Sequence, residues 1–291
     1  MFYLFYGFVW LITWLPLRVL YLFSDFFYLI IYYVAGYRKK VVRTNLEKSF
    51  PQKTTKELRK IERKFYRFFC DIFVETTYQM HISKAEMLKR MNFCNVEVLL
   101  EQYEKGKSCL LMTAHYGNWE WASSLSLSLP ADKPLYGIYK RLNDKNFDNF
   151  ICELRTKSTG KNIEKNDLLR KMVRLKSESQ LAMFGMISDQ TPDRISINYW
   201  TTFLNQDTPV VTGTEVLARK FDYPVYYAEI TRIKRGYYKC EFIPISLEPS
   251  KTSEFEISEK YMQLLQETIE AKPEFWLWSH RRWKHVRQQN N

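Results

Sequence analysis

The sequence predicts an α/β fold, with a central mixed β-sheet flanked by helices and an N-terminal hydrophobic helix ahead of it. Two observations lead to this prediction. Short apolar runs of strand length alternate along the chain with longer segments whose apolar residues recur at helical spacing. The first 36 residues differ from the rest, because they carry only two charges, Arg18 and Asp25, among many aromatic and aliphatic side chains. The length of 291 residues suits one large domain with a small appendage.

Residues 1–36 are predicted to form a membrane anchor, and residues 37–291 a single domain. Residues 19–35 are about long enough to cross a bilayer, although Asp25 would be costly at its centre. The anchor therefore either spans the membrane or embeds in it, and the alternative is a buried core helix or a pair of helices broken at Pro16. A cleaved signal peptide is disfavoured, because no basic n-region precedes the apolar stretch. The basic cluster 37–43 follows directly, which under the positive-inside rule places the rest of the chain in the cytoplasm.

The composition favours a negatively charged partner and argues against several chemistries. Lys and Arg outnumber Asp and Glu by 44 to 32, and aromatic residues make up 16% of the chain. Such a surface suits an anionic membrane, an acidic protein or nucleic acid. The five cysteines lack metal-type spacing and fit reduced thiols, and only four histidines are present, which argues against a His-rich metal site. No nucleotide-binding glycine loop or G-x-S-x-G elbow occurs, so we expect no cofactor.

The individual elements follow from spacing and flanking residues. The last two of five predicted strands are joined by the turn at 234–236 and should form an antiparallel hairpin at the sheet edge. The strands are 109–114, 135–139, 180–187, 223–233 and 238–245. Helices are predicted at 56–80, 121–129, 143–157, 166–176, 208 or 212 to 220, and 258–271. Residues 84–103 look helical and irregular.

The stretch around His115 combines strand, turn and helix signals. The apolar run 109–114 stops at His115, and Gly117 with Asn118 supplies a bend and an N-cap before the segment that starts at Trp121. The turn of such a unit lies at the carboxyl end of a strand, where open α/β sheets keep their ligand sites. We therefore expect a functional site at this turn.

His115 and Glu120 are the two functional groups of this turn. On one regular helix their side chains would point about 140° apart, so they meet only if His115 lies in the turn and Glu120 in the first helical turn. A neutral imidazole can then take a proton from a hydroxyl, while a carboxylate on its other nitrogen fixes the tautomer. We predict His115 as a general base oriented by Glu120. An ordinary hydrogen-bonded histidine beside a solvated glutamate is the alternative.

Polar residues also follow the second and third predicted strands. Lys140 and Arg141 come directly after the second strand, where they either bind a phosphate group or are exposed to solvent. Asp189 and Gln190 follow the third strand. They could orient a site residue, line the pocket for the hydroxyl-bearing acceptor substrate, or cap a turn. Arg194 offers a further cation nearby. The candidate substrate-binding residues are therefore Asn118, Lys140, Arg141, Asp189, Gln190 and Arg194.

The segment 273–285 concentrates aromatic and basic side chains. Three Trp, two Arg and two His lie within ten positions, which exceeds what the end of a helix needs. The pattern fits an interfacial belt or a basic docking face beside the site. It fits equally an aromatic core capped by a basic tail, and both interpretations stay open.

Four ordered blocks of the sequence resemble the bacterial lipid A biosynthesis acyltransferases, the late lauroyl/myristoyl group. The blocks are 113–121, 138–143, 189–213 and 273–284. The first contains the H-x4-E motif, and the last is similar to the family's Pro-Glu-x-Tyr-x-Trp-x-His-x-Arg signature. With the apolar N-terminus, the resemblance covers essentially the whole chain. Two family patterns are altered: Phe203-Leu-Asn205 replaces Phe-Phe-Gly, and Thr-Pro-x-Gly is not intact, where the acyl or acceptor pocket is expected.

The resemblance implies a glycerolipid acyltransferase-like fold and an enzyme of the bacterial inner membrane, on its cytoplasmic face. Such an enzyme moves a fatty acyl chain from acyl carrier protein to a hydroxyl of a lipid A precursor. In that family the His of the motif is the base and the Glu its partner. The resemblance carries these roles to His115 and Glu120, with a substrate contact for Arg141. The implied partners are acyl carrier protein, a lipid A precursor and the membrane, and no nucleic acid.

Two other functions remain compatible with the residues. The same chemistry could act on another membrane glycolipid or on a lysophospholipid. A non-catalytic membrane-surface protein that binds acidic protein or nucleic acid would explain the charge and the aromatic residues. It would leave unexplained why His115, Arg141 and Asp189 cluster at strand ends.

Overall fold

The computed structural model describes residues 2–157 and 160–287, and it confirms the predicted α/β architecture. The described strands are β1 (Met91–Phe93), β2 (Cys109–Thr113), β3 (Leu135–Tyr139), β4 (Lys161–Glu164), β5 (Met183–Ile187), β6 (Trp200–Phe203), β7 (Gln206–Pro209), β8 (Val225–Lys234) and β9 (Tyr237–Ser246). The α-helices are α1 (Phe2–Ile12), α2 (Leu17–Leu29), α3 (Lys39–Ser49), α4 (Thr55–Tyr78), α5 (Lys84–Arg90), α6 (Glu97–Glu104), α7 (Lys145–Thr156), α8 (Leu168–Ser177), α9 (Gly213–Phe221) and α10 (Glu256–Ala271). A π-helical segment, Ile30–Ala35, continues α2.

Seven strands form one mixed sheet in the order β1-β9-β8-β2-β5-β3-β4. Strands β8, β2, β5, β3 and β4 run parallel to one another, and β9 is antiparallel to β8. Apolar side chains fill both faces of the sheet. In β2, Leu110 and Met112 join one core cluster while Cys109 and Leu111 join the other. Burial on both faces explains why this strand reads as an unbroken apolar run.

The strand predictions are confirmed in place and order, with two corrections. The β8–β9 hairpin does not form the sheet edge, because β1 pairs with β9 outside it. Strand β1 lies within the stretch that was expected to be an irregular helix. Strand β4 and the separate β6–β7 hairpin were not predicted, because they are short and rich in polar residues and so lack an apolar run.

The predicted helices are confirmed apart from the one after the His115 turn. Helix α4 begins at a capping box, in which Thr54 and Glu57 exchange hydrogen bonds. The segment Trp121–Ser128, predicted as helix-compatible, is a 3-10 helix. The hydroxyls of Ser123 and Ser124 each donate to the carbonyl three residues earlier, a local bond that competes with α-helical pairing.

The N-terminal helices pack against the body of the protein. One helix, Leu17–Ala35, is long and apolar enough to cross a membrane by length and composition. Leu17, Leu20 and Tyr21 on one face of it join the core formed with α4. Its opposite face is exposed and apolar, with Leu22, Phe26, Phe27, Leu29, Ile30, Tyr33 and Val34 open to the surroundings.

Candidate active site

His115 and Asp189 meet because of the register of two neighbouring parallel strands. Thr113 at the end of β2 pairs with Ile187 at the end of β5, so the residues two positions further along come level. Nδ1 of His115 lies 2.7 Å from Oδ1 of Asp189. The backbone N–H of His115 also donates to Oδ2 of Asp189 at 3.0 Å. One carboxylate therefore fixes both the ring and the main chain of His115.

The Asp189 carboxylate is buried and held in its ionised form. Trp276 donates its indole N–H to Oδ2 at 2.8 Å. Burial alone would raise the pKa of Asp189, but His115 and the N–H donors around it bring that pKa below its usual value. An ionised carboxylate only accepts hydrogen bonds, so Nδ1 of His115 carries the hydrogen and Nε2 is left as the basic nitrogen.

The Nε2 side of His115 opens onto a cavity. The His115 side chain is 20% exposed, in contrast to 2% for Asp189. The side-chain nitrogen of Gln190 lies 3.2 Å from Nε2, where the amide donates to the free nitrogen. Both residues line the cavity. The basic nitrogen of the pair is thus the one that a ligand can reach.

Glu120 does not make the contact with His115 that the motif spacing predicts. Its carboxylate accepts two hydrogen bonds from Arg155, at 2.8 and 2.7 Å, and a third from Trp119 at 3.2 Å. Burial raises the pKa of Glu120, but Arg155 lowers it below the usual value. The backbone turn points Glu120 toward α7, whereas His115 faces the end of β5. The two side chains therefore line one cavity with different partners.

The cavity has a volume of about 590 Å³ and lies on one face of the sheet. Its floor is made by residues of five adjacent strands, among them Leu111, Gly137, Gly185, Ala228 and Cys240. Its walls come from the 3-10 helix and α7, through Ala122, Leu125, Ile151 and Cys152. Two floor positions are glycines, which leaves the space above β3 and β5 open. This volume lies in the range of ligand pockets, and the lining is mainly apolar.

The remaining predicted substrate residues divide between the cavity and other places. Lys140 and Gln190 both line the cavity. Arg141 is exposed and pairs with Glu164 at 2.8 Å, and Arg194 is exposed in a short 3-10 helix. Neither arginine is among the cavity-lining residues in the described part of the chain. The structure thus brings Lys140 and Gln190 to the site and leaves the two arginines at the surface.

Asn118 is fully buried and already engaged on both sides of its amide. Its Nδ2 donates to Glu75 at 2.7 Å, and its Oδ1 accepts the backbone N–H of Trp121 at 3.1 Å. The expected substrate contact is therefore not available to this side chain. The expected N-cap role is confirmed in part, because Asn118 does satisfy a backbone donor at the start of the 3-10 helix.

The C-terminal segment is core that also supports the site. Trp276, Trp278 and Arg282 are buried, so the interfacial-belt interpretation is wrong for them. Trp276 pairs through its backbone with Tyr116, and Leu277 donates its N–H to the carbonyl of His115. Backbone hydrogen bonds from this segment therefore fix the position of the His115 turn. Sequence reasoning missed the role of Trp276, although its place in the C-terminal signature was a signal.

The altered Phe-Phe-Gly pattern is explained by a hairpin turn. Leu204 and Asn205 connect β6 to β7 with φ of 49° and 60°. A left-handed backbone favours Gly, and Asn is among the side chains that tolerate it best. The Asn205 side chain also donates to the carbonyl of Ser49. Neither residue is among the described residues that line the cavity beside His115.

Fold and site together define an α/β protein with an imidazole–carboxylate pair whose imidazole lines an apolar cavity. In this arrangement the free imidazole nitrogen can accept a proton from a ligand in the cavity. Comparison with known proteins then identifies the family. The sequence profile of the bacterial lipid A biosynthesis acyltransferases matches residues 1–285, and the chain belongs to this family.

Two relatives illustrate the distance within the family. The chain is 22% identical over 249 residues to the lipid A biosynthesis palmitoleoyltransferase of Escherichia coli (strain K12). The match covers 85% of this chain and 79% of the relative. A lipid A biosynthesis acyltransferase of Shigella flexneri matches over the same length with the same identity. These matches confirm the family that the four sequence blocks indicate.

Proposed function

We propose that this protein transfers a fatty acyl chain from acyl carrier protein to a hydroxyl of a lipid A precursor, with His115 as the general base. Membership of the lipid A acyltransferase family supports the acyl transfer and the acceptor. One observation carries the mechanism: His115 lies between an ionised carboxylate on Nδ1 and an open cavity on Nε2. The proposal therefore differs from the motif prediction in giving Asp189 the orienting role.

The reaction follows from this geometry. Nε2 of His115 takes the proton of the acceptor hydroxyl as the oxygen attacks the thioester carbonyl carbon. The carbon–sulfur bond breaks, and the departing thiolate receives the proton from the imidazolium. Asp189 stabilises that imidazolium and keeps the ring in the productive tautomer. General-base help of this kind contributes about 10²- to 10⁴-fold in rate.

The residues around the pair suit the two substrates. Gln190 occupies Nε2 in the free protein, so the acceptor hydroxyl takes its place on binding. The apolar floor and walls suit the acyl chain, and Lys140 at the cavity offers a positive charge to a phosphate. A thioester is already activated, so the step as written needs no metal or nucleotide cofactor.

We propose that the exposed apolar face of the N-terminal helices embeds in the cytoplasmic face of the bacterial inner membrane. Exposed aromatic residues, among them Trp10, Trp14 and Tyr33, suit the membrane interface. The excess of positive charge suits its anionic lipids. The other face of α2 is buried against α4, which favours an embedded helix over one that spans.

The proposal is tested by acyl transfer in vitro. Purified protein is incubated with acyl-loaded carrier proteins of graded chain length and a lipid A precursor, and products are measured by mass spectrometry. We expect one added acyl chain with the wild type and none with His115→Ala. Full activity of His115→Ala would remove the general base from the mechanism. Transfer to a lysophospholipid or another glycolipid, with lipid A precursor untouched, would retain the chemistry and replace the acceptor.

A further inference from the structure

Two buried carboxylates on α4 take no part in the proposed chemistry. Asp71 and Glu75 lie one helical turn apart and are both almost inaccessible to solvent. A buried carboxylate is costly unless hydrogen bonds satisfy it, so each needs several donors. Burial raises the pKa of Glu75 to about 6, the direction expected for a group with so little access to water. Their partners come from separate parts of the fold.

The Glu75 side chain collects three donors from three elements. Tyr21 of α2 donates to Oε1 at 2.7 Å. Tyr238 of β9 and Asn118 of the His115 turn both donate to Oε2 at 2.7 Å. The Glu75 backbone carbonyl adds a fourth link, because it accepts the indole N–H of Trp121 at 3.0 Å. One residue thus joins the N-terminal helix to the turn that follows the general base.

The part of the turn that Glu75 holds is a wall of the cavity. Asn118 and Trp121 lie in the same short stretch of chain as the wall residues Trp119, Glu120 and Ala122. Asn118 links Glu75 directly to the wall, since its side-chain Oδ1 accepts the backbone N–H of Trp121. A shift of Glu75 would therefore displace the wall, while His115 keeps its own bonds to Asp189 and to Leu277.

Asp71 fixes the same N-terminal helix at a second point. It accepts hydrogen bonds from Ser24 at 2.7 Å and from Arg232 at 2.9 Å. Arg235 bridges Asp71 and Asp25, at 2.6 and 2.7 Å. The charge in the apolar helix that seemed unfavourable in the sequence is thus paired. These bonds keep Tyr21 in place over Glu75.

We propose that Glu75 is a positioning residue for the cavity wall 118–125 and that, through Tyr21, it makes the membrane-facing helix α2 part of the active-site framework. The structural half of this inference is independent of the reaction. Its kinetic consequence rests on the proposed acyltransferase function.

The first test is Glu75→Gln, which keeps the shape but replaces one acceptor oxygen by a donor. Hydrogen–deuterium exchange followed by mass spectrometry should show faster exchange in 116–125, with the sheet strands unchanged. Acyl transfer should fall about 10- to 100-fold, the range expected when reacting groups are misplaced by an ångström or less. Unchanged exchange in 116–125 would overturn the inference, and faster exchange throughout would reduce Glu75 to a general stabiliser.

The second test is a swap of donor and acceptor. In Glu75→Gln with Asn118→Asp, the amide at 75 donates to the carboxylate at 118, which still accepts the N–H of Trp121. We expect the double variant to recover much of the activity and of the exchange protection that Glu75→Gln loses. A double variant worse than both single variants would contradict a specific Glu75–Asn118 contact.

The third test isolates α2. Tyr21→Phe removes one hydroxyl, so it decides the matter even if Glu75→Gln fails to fold. We expect faster exchange in 116–125 and a lower kcat, with unchanged co-sedimentation on vesicles of anionic phospholipid. Tyr28→Phe is the matched control, because its hydroxyl on the same helix makes no hydrogen bond to Glu75 among the described residues.

The outcomes separate the two proposals. If wild-type protein transfers no acyl chain, the proposed function fails, and hydrogen exchange alone still judges the role of Glu75. If the wild type is active and Tyr21→Phe matches Tyr28→Phe in exchange and kcat, the coupling of α2 to the wall is wrong while the acyltransferase proposal stands.

Discussion

At the scale of single residues, the site depends on which carboxylate faces which nitrogen. Asp189 receives three N–H donors, two from His115 and one from Trp276, and it is the group that sets the tautomer. Glu120 is neutralised by Arg155 in a bidentate pair. Asp189 therefore faces the neutral imidazole of His115 and Glu120 faces the Arg155 cation, so removal of the two carboxylates should have different consequences.

Asp189→Asn should abolish most of the activity by reversing the tautomer of His115. The N–H donors on Oδ2 keep the amide oxygen at that position, so the new NH₂ group faces Nδ1 and the ring hydrogen moves to Nε2. We expect kcat to fall about 10²- to 10⁴-fold. Glu120→Gln, which leaves the His115–Asp189 pair intact, should lose less of kcat. The reverse order of the two variants in steady-state kinetics would restore Glu120 as the orienting group.

His280 makes the stability of the fold depend on pH. Burial lowers its pKa from 6.5 to about 4, so the unfolded chain binds a proton in this interval and the folded protein does not. Stability should therefore fall as pH drops from about 6.5 to 4, by about 1–3 kcal/mol from this group. Chemical unfolding of the wild type and His280→Gln should show a smaller fall for the variant. Parallel pH curves for the two proteins would refute this assignment.

At the scale of elements, the cavity exists because two neighbouring strands lack side chains on the same face. Gly137 of β3 and Gly185 of β5 are register partners and both line the floor. A Cβ at Gly185 would meet its nearest neighbour, the carbonyl oxygen of Tyr136, at 3.8 Å, an ordinary contact. A larger residue there should be accepted by the strand and should project into the cavity.

Gly185→Val should shorten the acyl chain that the enzyme prefers. The added isopropyl group occupies floor space, while the backbone of β5 is not strained. We expect transfer of the longest accepted chain to fall at least about tenfold relative to a chain shorter by a few carbons, since each buried CH₂ is worth about 0.8 kcal/mol. Competition between acyl donors, read by mass spectrometry, measures the ratio. An unchanged ratio would place the acyl chain elsewhere.

At the scale of the whole molecule, the N-terminal helices are integrated with the domain that follows. Apolar contacts of Leu17 and Leu20, and the hydrogen bonds of Tyr21, Ser24 and Asp25, join α2 to α4 and to the β8–β9 hairpin. The predicted boundary at residue 36 separates an apolar segment from a polar one. We propose that it does not separate two independent folding units.

Removal of residues 1–36 should destabilise the protein instead of releasing a soluble enzyme. The truncation removes the hydroxyl donors of Tyr21 and Ser24 from the buried carboxylates of Glu75 and Asp71, and each hydrogen bond lost to such a charged group costs about 1.5–3 kcal/mol. Removal of residues 1–14 is the control, because it leaves α2 in place. We expect a much lower unfolding midpoint in detergent for the longer truncation only. Equal midpoints for the two truncations would show that α2 is a detachable anchor.

The sequence was sufficient for the elements that are long or regularly patterned. Strands β2, β3, β5, β8 and β9 and helix α4 were located because burial on one or both faces leaves a local apolar period. Strands β1, β4, β6 and β7 were missed, since runs of only three or four residues are too short to show such a period. The 3-10 helix was missed in type, because its serine hydroxyls act through local geometry and not through hydrophobicity.

The sequence by itself determined the α/β class, the family blocks and the position of His115 at the end of a strand, because all of these are written in local patterns. Only the tertiary structure decided which groups His115 contacts. Asp189 lies 74 positions away in the chain and reaches Nδ1 through the pairing of β2 with β5. Glu120, which is only five positions away from His115, forms an ion pair with Arg155 instead. Strand register over long separations sets these contacts, and no local spacing encodes it.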